Sequence, residues 1–281
     1  NAMQMADARG VLRIVQDYNI EWIIKDLYHL EHTWLKMLKA PDWKLMVIDD
    51  FNIESCSCDI LLNQNYQGWE KEIQHSDLGS LNLVGPEYAL LDESYSKIRK
   101  SSELSRTKMQ RLNVYFGGSD PDNLTESVIE AIAASKHRSL EIDIVIGSTN
   151  LSYKSIEALC HFHEFNFYVQ VSNFSALLNQ ADVAIGATGS TTWERLCLGI
   201  PSLLVCIAEN QLAATEKLNS DHLIIQLENS YKTIGRQLVY HLDRAQNDYK
   251  SFAELGRRGM EIVDGLGAER VASAITDFSG Y

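Results

Sequence analysis

The second half of the chain alternates between short apolar runs of strand length and amphipathic stretches of helical length. Strands are predicted at 112–116, 141–146, 166–170, 182–185, 202–206 and 222–226. Helices are predicted between and after them at 121–135, 152–161, 174–180, 191–198, 210–219, 229–245 and 248–263. Strands that alternate with helices form βαβ units with right-handed crossovers. The pattern therefore predicts an α/β fold whose second half is a doubly wound parallel sheet.

The first half carries the same two kinds of element in a shorter series. Helices are predicted at 6–19 and 31–40, and strands at 21–25, 44–49, 60–63 and 83–85. Because the series opens on a helix rather than on a strand with a glycine turn, it predicts an incomplete Rossmann-like domain. A charged, serine-bearing segment at 96–108 is predicted to link the two halves. The expected domains are 1–107 and 108–265, followed by a C-terminal helix within 266–281 that crosses back to the first domain.

Two glycine-hydroxyl turns lie between a predicted strand and a predicted helix. One contains Gly117, Gly118 and Ser119, and the other contains Gly189, Ser190 and Thr191. A strand-to-helix turn presents unpaired backbone N–H groups at the positive end of the helix dipole, where glycine allows close approach and hydroxyls add donors. The two turns indicate a phosphate-bearing ligand at the carboxyl ends of parallel strands. The alternative is that both are ordinary connecting loops, in which Gly and Ser are common.

Composition limits the function classes. Hydrophobic residues make up 45% of the 281 residues, and the formal net charge is −13. This acidity argues against nucleic acid or an anionic membrane surface as the main partner. No apolar run reaches the roughly 18 residues of a membrane span, and none resembles a signal peptide. The five cysteines lack paired spacing, so we expect a reduced, cytoplasmic protein with no structural metal and no cofactor.

Six motifs in order along the chain resemble a known enzyme family. They are Gly85-Pro86-Glu87-Tyr88-Ala89-Leu90-Leu91, Phe116-Gly117-Gly118-Ser119-Asp120, Gly189-Ser190-Thr191-Thr192-Trp193-Glu194-Arg195, Leu198-Gly199-x-Pro201-Ser202, Glu209-Asn210-Gln211 and Asp264-Gly265-x-Gly267-Ala268-Glu269-Arg270. Together they resemble the UDP-2,4-diacetamido-2,4,6-trideoxy-β-L-altropyranose hydrolases of pseudaminic acid biosynthesis, which are relatives of the spore coat polysaccharide proteins.

The resemblance implies a GT-B-like fold of two Rossmann-like domains, similar to the peptidoglycan N-acetylglucosaminyltransferase. It also implies a metal-independent hydrolysis in which water attacks the anomeric carbon of a UDP-sugar and UDP leaves with release of a 6-deoxy-diacetamido sugar. A glycosyltransferase that uses a UDP-sugar donor and a non-catalytic nucleotide-sugar-binding protein remain as alternatives, because both would share the nucleotide site.

Members of this family begin with a strand and a Gly-x-Gly-His-x-x-Arg turn, whose histidine is taken as the catalytic base. This sequence shows no such turn, so the chain is expected to hydrolyse its substrate poorly, and whether it is an active enzyme stays open. Tyr28 lies in a segment that resembles the family's Asp-x-Tyr motif and is a supporting catalytic candidate. His29 is the fallback base. Self-association through the incomplete first domain is also expected.

The residue types suit the roles that the resemblance implies. Ser190 and Thr191 can hold a phosphate with backbone and hydroxyl donors. Glu194 can accept hydrogen bonds from ribose hydroxyls, or it can merely complement the dipole of its helix. Asn210 can donate to a pyrophosphate oxygen, and it can also act as a helix N-cap. The remaining candidates for the UDP-sugar site are Gly117, Gly118, Ser119, Gly189 and Gln211.

Overall fold

The computed structural model describes residues 2–27, 29–30, 32–50, 58–67, 80–101 and 106–278. The chain divides into two compact units. The first unit consists of Asn1–Tyr88 together with Gly267–Tyr281, and the second consists of Ala89–Leu266.

The first unit contains a four-stranded parallel sheet in the order β1-β2-β3-β4. Its strands are β1 (Trp22–Lys25), β2 (Lys44–Ile48), β3 (Ile60–Asn63) and β4 (Leu81–Val84). Its helices are α1 (Ala2–Tyr18), α2 (His32–Leu38) and α11 (Gly267–Thr276). Strands that follow one another in sequence are also neighbours in this sheet, so the strand order never reverses. Among the described strands of the first unit there is therefore no topological switch point.

Alternate residues of the first sheet belong to two separate apolar layers, one on each face of the sheet. Leu45 and Val47 of β2 pack with α1 and α2, whereas Met46 between them packs with Val271 of α11. This follows from the two-residue period of a strand, which turns successive side chains to opposite faces. The C-terminal helix therefore covers one face of the first unit's sheet, and Tyr88 packs in the same layer.

The second unit contains a six-stranded parallel sheet in the order β10-β9-β8-β5-β6-β7. Its strands are β5 (Arg111–Tyr115), β6 (Glu141–Ile146), β7 (Asn166–Val169), β8 (Val183–Ala187), β9 (Ser202–Val205) and β10 (Ile225–Leu227). The chain runs outward from β5 in one direction and then returns to β8 on its other side. This doubly wound order places a switch point between β5 and β8, where ligands bind in folds of this class.

The helices of the second unit cover its sheet. They are α3 (Glu93–Ser101), α4 (Leu124–Ala133), α5 (Tyr153–His163), α6 (Phe174–Leu178), α7 (Thr191–Cys197), α8 (Leu212–Ser220), α9 (Ile234–Asn247) and α10 (Tyr249–Ile262). Branched apolar side chains of the strands, such as Leu112, Val114 and Ile185, pack with α4, α9 and α10 in one continuous core. Among the described helices, none combines the length and apolar content needed to cross a bilayer.

The sequence predictions of an α/β class and of parallel strands on both halves are confirmed. Several boundaries differ from the predicted ones, including the start of α9 at Ile234 rather than at 229, and three further differences concern α4, β10 and α3. Helix α4 starts at Leu124 rather than at 121, because Asp120 and Asn123 adopt left-handed backbone conformations with φ of 41° and 51°. Strand β10 starts at Ile225, since the amide of Leu223 still bonds the carbonyl of Leu218 at the end of α8. The segment predicted as a linker from 96 begins as helix α3, and the two units divide after Tyr88.

Candidate functional site

The predicted nucleotide-binding residues of the second unit lie at one edge of its sheet. Parallel strands end at the same edge, so the loops that follow β5, β8 and β9 emerge side by side. The loop after β5 carries Gly117, Gly118 and Ser119. The loop after β8 carries Gly189 to Thr191, and the loop after β9 carries Asn210 and Gln211. The structure thus brings all three groups of predicted residues to the edge that contains the switch point.

The turn after β8 is tight and opens directly into α7. The amide of Thr192 donates to the Gly189 carbonyl at 2.9 Å, and the amide of Trp193 donates to the Ser190 carbonyl at 3.0 Å. Ser190 is exposed, and Gly189 and Thr191 are half-buried. The amides that begin a helix have no acceptor within the helix itself. Because the amides of Thr192 and Trp193 are already bonded within the turn, the groups that it can offer an anion are the backbone amides and the hydroxyls of Ser190 and Thr191.

The loop after β9 lies close to this turn at Gln211. Its side-chain amide nitrogen lies 3.8 Å from the position that a Cβ on Gly189 would occupy. Its amide oxygen lies 3.4 Å from the hydroxyl oxygen of Thr188. Asn210 is half-buried in the same short 3-10 turn, Glu209–Gln211. Because Gln211 rather than Asn210 occupies the N-cap position of α8, capping does not explain Asn210.

Glu194 and Arg195 are adjacent charged residues in α7, the helix that follows the turn after β8. Arg195 is fully buried. Its guanidinium donates to the carbonyl of Ala187 at the end of β8 and to that of Tyr115 at the end of β5, each at 2.9 Å. Burial lowers the pKa of Arg195 to about 10, so the group remains a cation at neutral pH. Arg195 therefore ties together the ends of the two strands that define the switch point.

The carboxyl group of Glu194 retains unfilled hydrogen-bonding capacity. Its Oε2 atom is buried and has no hydrogen-bond partner among the described residues. Burial raises the pKa of Glu194 above its ordinary value, while the positive charge of Arg195 and a hydrogen bond from Tyr95 act in the opposite direction. A buried carboxyl without enough partners is costly for a fold. Such a group at a switch point is typical of a residue that is completed by a ligand.

The turn after β5 differs from the turn after β8, because its own chain fills the helix N-terminus. Asp120 is buried, and its carboxylate accepts from the amides of Leu124 and Thr125 at 3.0 and 2.9 Å. It also accepts from the Thr125 hydroxyl at 2.6 Å. The first amides of α4 are thus already bonded to an internal anion. What this turn offers a ligand is the exposed loop of Gly118 and Ser119 rather than a helix dipole.

The two catalytic candidates, Tyr28 and His29, belong to the first unit. Tyr28 lies outside the described residues. His29 is exposed, and its backbone carbonyl accepts a hydrogen bond from the side-chain amide of Gln4 at 2.8 Å. In the described part of the chain, no three His, Cys, Asp or Glu side chains converge as metal ligands would.

Sequence reasoning missed two residues that shape this site. The sequence motif contains Arg195 but predicts no role for it, although an arginine in an apolar helical stretch is itself an indication of a buried partner. Tyr95 lay next to the segment assigned to a linker, and it is buried in α3 against α7. The spacing of Tyr95, Ile98 and Arg99 is that of one helix face and could have predicted α3.

Two known proteins are similar to this chain in sequence. No protein-family model matches it. It is 23% identical over 272 residues to the spore coat polysaccharide biosynthesis protein SpsG of Bacillus subtilis, a match that covers 95% of this chain and 79% of SpsG. It is 28% identical over 221 residues to the uncharacterized protein MJ1062 of Methanocaldococcus jannaschii, which covers 75% of this chain and 45% of MJ1062. The chain thus spans less than half the length of the second relative.

Solved structures resemble the whole chain at low sequence identity. The spinosyn rhamnosyltransferase SpnG matches with a TM-score of 0.68 and 13% identity over 98% of this chain and 77% of SpnG. MurG of Acinetobacter baumannii matches with a TM-score of 0.66 and 11% identity over 98% and 78%. MnaA of S. aureus, solved with UDP, matches with a TM-score of 0.65 and 6% identity over 99% and 81%. The chain therefore has the GT-B fold of two Rossmann-like parallel-sheet domains, and in sequence it is similar to a spore coat polysaccharide biosynthesis protein.

Proposed function

We propose that the second unit binds the nucleotide of a UDP-sugar at the edge formed by the loops after β5, β8 and β9. The observation that carries this proposal is the Glu194 carboxyl, whose Oε2 atom is buried and has no hydrogen-bond partner among the residues that the structure describes. A nucleotide bound there would bring ribose hydroxyls, which are donors that a carboxyl can accept. The UDP found in the MnaA structure supports the choice of nucleotide.

The proposed contacts follow from the chemistry of each loop. The pyrophosphate lies against Gly189, Ser190 and Thr191, where amides and hydroxyls are presented and no carboxylate of the described residues accepts from the turn. Asn210 and Gln211 donate their side-chain amides from the adjacent loop, since Gln211 already lies over Gly189. Because Asp120 occupies the start of α4, Gly117, Gly118 and Ser119 serve as a close-approach surface rather than as the main phosphate site.

The reaction that we propose is hydrolysis of the UDP-sugar, in which water attacks the anomeric carbon and UDP is the leaving group. The motifs that resemble the UDP-diacetamido-sugar hydrolases support this reaction, and the similarity to SpsG agrees with a role in surface polysaccharide biosynthesis. On this proposal, His29 is the candidate base and Tyr28 a supporting residue, and both stay predictions.

Transfer of the sugar to an acceptor is the second candidate, and the fold shared with the rhamnosyltransferase SpnG favours it. Release of UDP from the UDP-sugar separates the two reactions. Turnover with water alone would identify a hydrolase, and turnover only after an acceptor is added would identify a transferase. Binding without release of UDP under either condition would indicate a nucleotide-sugar-binding protein.

Calorimetry with UDP tests the nucleotide site directly. We expect the native chain to bind UDP, and Glu194→Gln to weaken binding by about tenfold to a hundredfold, as for loss of a hydrogen bond to a charged group. Glu130→Gln is the matched control, because Glu130 is an exposed carboxylate of the same unit on α4. Equal affinity of the Glu194 variant and the native chain would refute the ribose role. No binding of UDP by the native chain would refute the nucleotide site.

A further inference from the structure

The loops after β5 and β6 meet at two glycines. Gly147 follows β6 directly and is buried, and a Cβ at its position would lie 2.5 Å from the Cα atom of Gly118 and 2.8 Å from its carbonyl carbon. Gly147 does not have a positive φ, so the close approach of the two loops, and not the backbone conformation, requires glycine here. Gly118 therefore packs directly on the backbone of Gly147.

Thr149 of the loop after β6 forms a hydrogen bond to the same glycine of the loop after β5. Its hydroxyl donates to the Gly118 carbonyl at 3.1 Å. The loop that carries Thr149 has hydrogen bonds of its own. The amide of Asn150 donates to the Gly147 carbonyl at 3.3 Å, and the Asn150 side-chain oxygen accepts from the amide of Ser152 at 2.8 Å, just before α5. The Gly118 carbonyl is thus turned toward a braced loop after β6.

The direction of this carbonyl fixes the direction of the next backbone amide. The C=O of Gly118 and the N–H of Ser119 belong to one planar trans peptide unit, in which the two groups point in opposite directions. Because the carbonyl points to the loop after β6, the Ser119 N–H points away from that loop. Strand β5 lies between β6 and β8, so the next strand on the side away from β6 is the one whose turn carries Gly189 to Thr191. Ser119 is exposed, and its N–H has no acceptor among the described residues.

We propose that Thr149 is a positioning residue for the nucleotide site: its hydrogen bond to the Gly118 carbonyl orients the peptide between residues 118 and 119 so that the Ser119 amide donates to a pyrophosphate oxygen. This inference rests on the proposed function, since it concerns the same ligand. Gly118 has no Cβ, so this peptide can rotate with little steric resistance, and the threonine hydroxyl selects one of its orientations. A donor that is oriented before the ligand arrives lowers the entropy lost on binding.

The test compares Thr149→Val with the native chain by calorimetry with UDP. Valine keeps the shape of threonine but lacks the hydroxyl, so the variant should bind UDP about threefold to tenfold more weakly, the effect of one hydrogen bond. Thr149→Ser keeps the hydroxyl and should restore native affinity. Thr276→Val is the matched control, because the hydroxyl of this exposed threonine also donates to a backbone carbonyl, that of Ala272, at 3.1 Å in α11. It should bind UDP as the native chain does.

Each outcome separates the role of Thr149 from the nucleotide site itself. If Thr149→Val binds UDP with native affinity while Glu194→Gln binds weakly, the positioning role is overturned and the proposed function stands. If Thr149→Ser binds as weakly as Thr149→Val, or if Thr276→Val loses as much affinity, the hydroxyl bond to Gly118 is not the cause and the inference is overturned. If the native chain does not bind UDP, the nucleotide proposal fails, and with it the inference that depends on it.

Discussion

The guanidinium group of Arg195 fills the space that a side chain on Gly186 would need. A Cβ at this position of β8 would meet both the Tyr115 carbonyl and the Arg195 Nη2 atom. These two atoms are themselves hydrogen-bonded at 2.9 Å. Neither can therefore move aside without breaking the contact that holds the ends of β5 and β8 together. Glycine is required in the middle of this strand because the strand lies under a buried cation.

We expect Gly186→Ala to lower the free energy of unfolding of the second unit by about 1–3 kcal/mol, the usual cost of overpacking a filled interior. Gly10→Ala is the control, since Gly10 lies within α1 and no atom of the described residues lies within 4 Å of the position of its Cβ. An alanine there should stabilise the first unit by about 0.5–1 kcal/mol through helix propensity. Urea unfolding of the two variants measures both effects, and a Gly186 variant as stable as the native chain would refute the packing argument.

Most of the fold could be predicted from sequence, because the strands of the second unit are short, mostly apolar runs, as a parallel sheet covered on both faces requires. The errors fell where backbone geometry decides the boundary. Left-handed residues such as Asp120 and Asn123 delay the start of α4, and no hydrophobic pattern reveals a positive φ. Helix α3 was missed because its outward face carries Lys97 and Lys100, which resemble a solvated linker.

The hydrogen bonds from Arg99 of α3 to three backbone carbonyls provide a second stability prediction. Arg99→Ala should cost about 1–3 kcal/mol or more, because it leaves the carbonyls of Cys197, Met260 and Val263 without this donor. Lys97→Ala on the same helix removes a cation whose partner Glu93 is as exposed as itself, with side chains 66% and 72% exposed. Such a surface pair contributes little, so this control should change stability by less than about 0.5 kcal/mol. Thermal unfolding of the two variants measures both effects. Equal losses of stability would contradict the role of Arg99 in holding α3 in place.

The ionisation of Glu194 predicts how stability depends on pH. Burial raises its pKa, so the folded chain holds this proton more tightly than the unfolded chain. The unfolding free energy of the native chain should therefore fall as pH rises from the unfolded value of about 4.3 to the folded value. Glu194→Gln does not titrate, so it should gain stability relative to the native chain across this window and keep the gain at neutral pH. Melting temperatures from about pH 4 to about pH 8 measure this difference.

A loss of stability in Glu194→Gln at neutral pH would instead mean that the ionised carboxylate stabilises Arg195 by more than its burial costs. The expected result, a variant that is at least as stable but binds UDP weakly, is typical of functional sites, where a fold tolerates an unfavourable group for the sake of a ligand. This is also why the site was only partly predictable. Sequence motifs identify Glu194, but its missing partner is visible only once α3 and α7 are packed.

Asp120 distinguishes the two glycine turns, and its removal gives the last prediction. Its carboxylate bonds the amides of Leu124 and Thr125 and the Thr125 hydroxyl, so Asp120→Ala leaves the start of α4 without its cap. We expect a loss of about 1–2 kcal/mol in the free energy of unfolding. Asp120→Asn, which keeps one acceptor oxygen, should lose less. Asp122→Ala is the control from the same loop, and it should stay within about 0.5 kcal/mol of the native chain because the described structure assigns it no bond to an α4 amide. If Asp120→Ala were as stable as the control, the amides of α4 would not depend on this carboxylate, and the turn after β5 would again be open to a phosphate in the same way as the turn after β8.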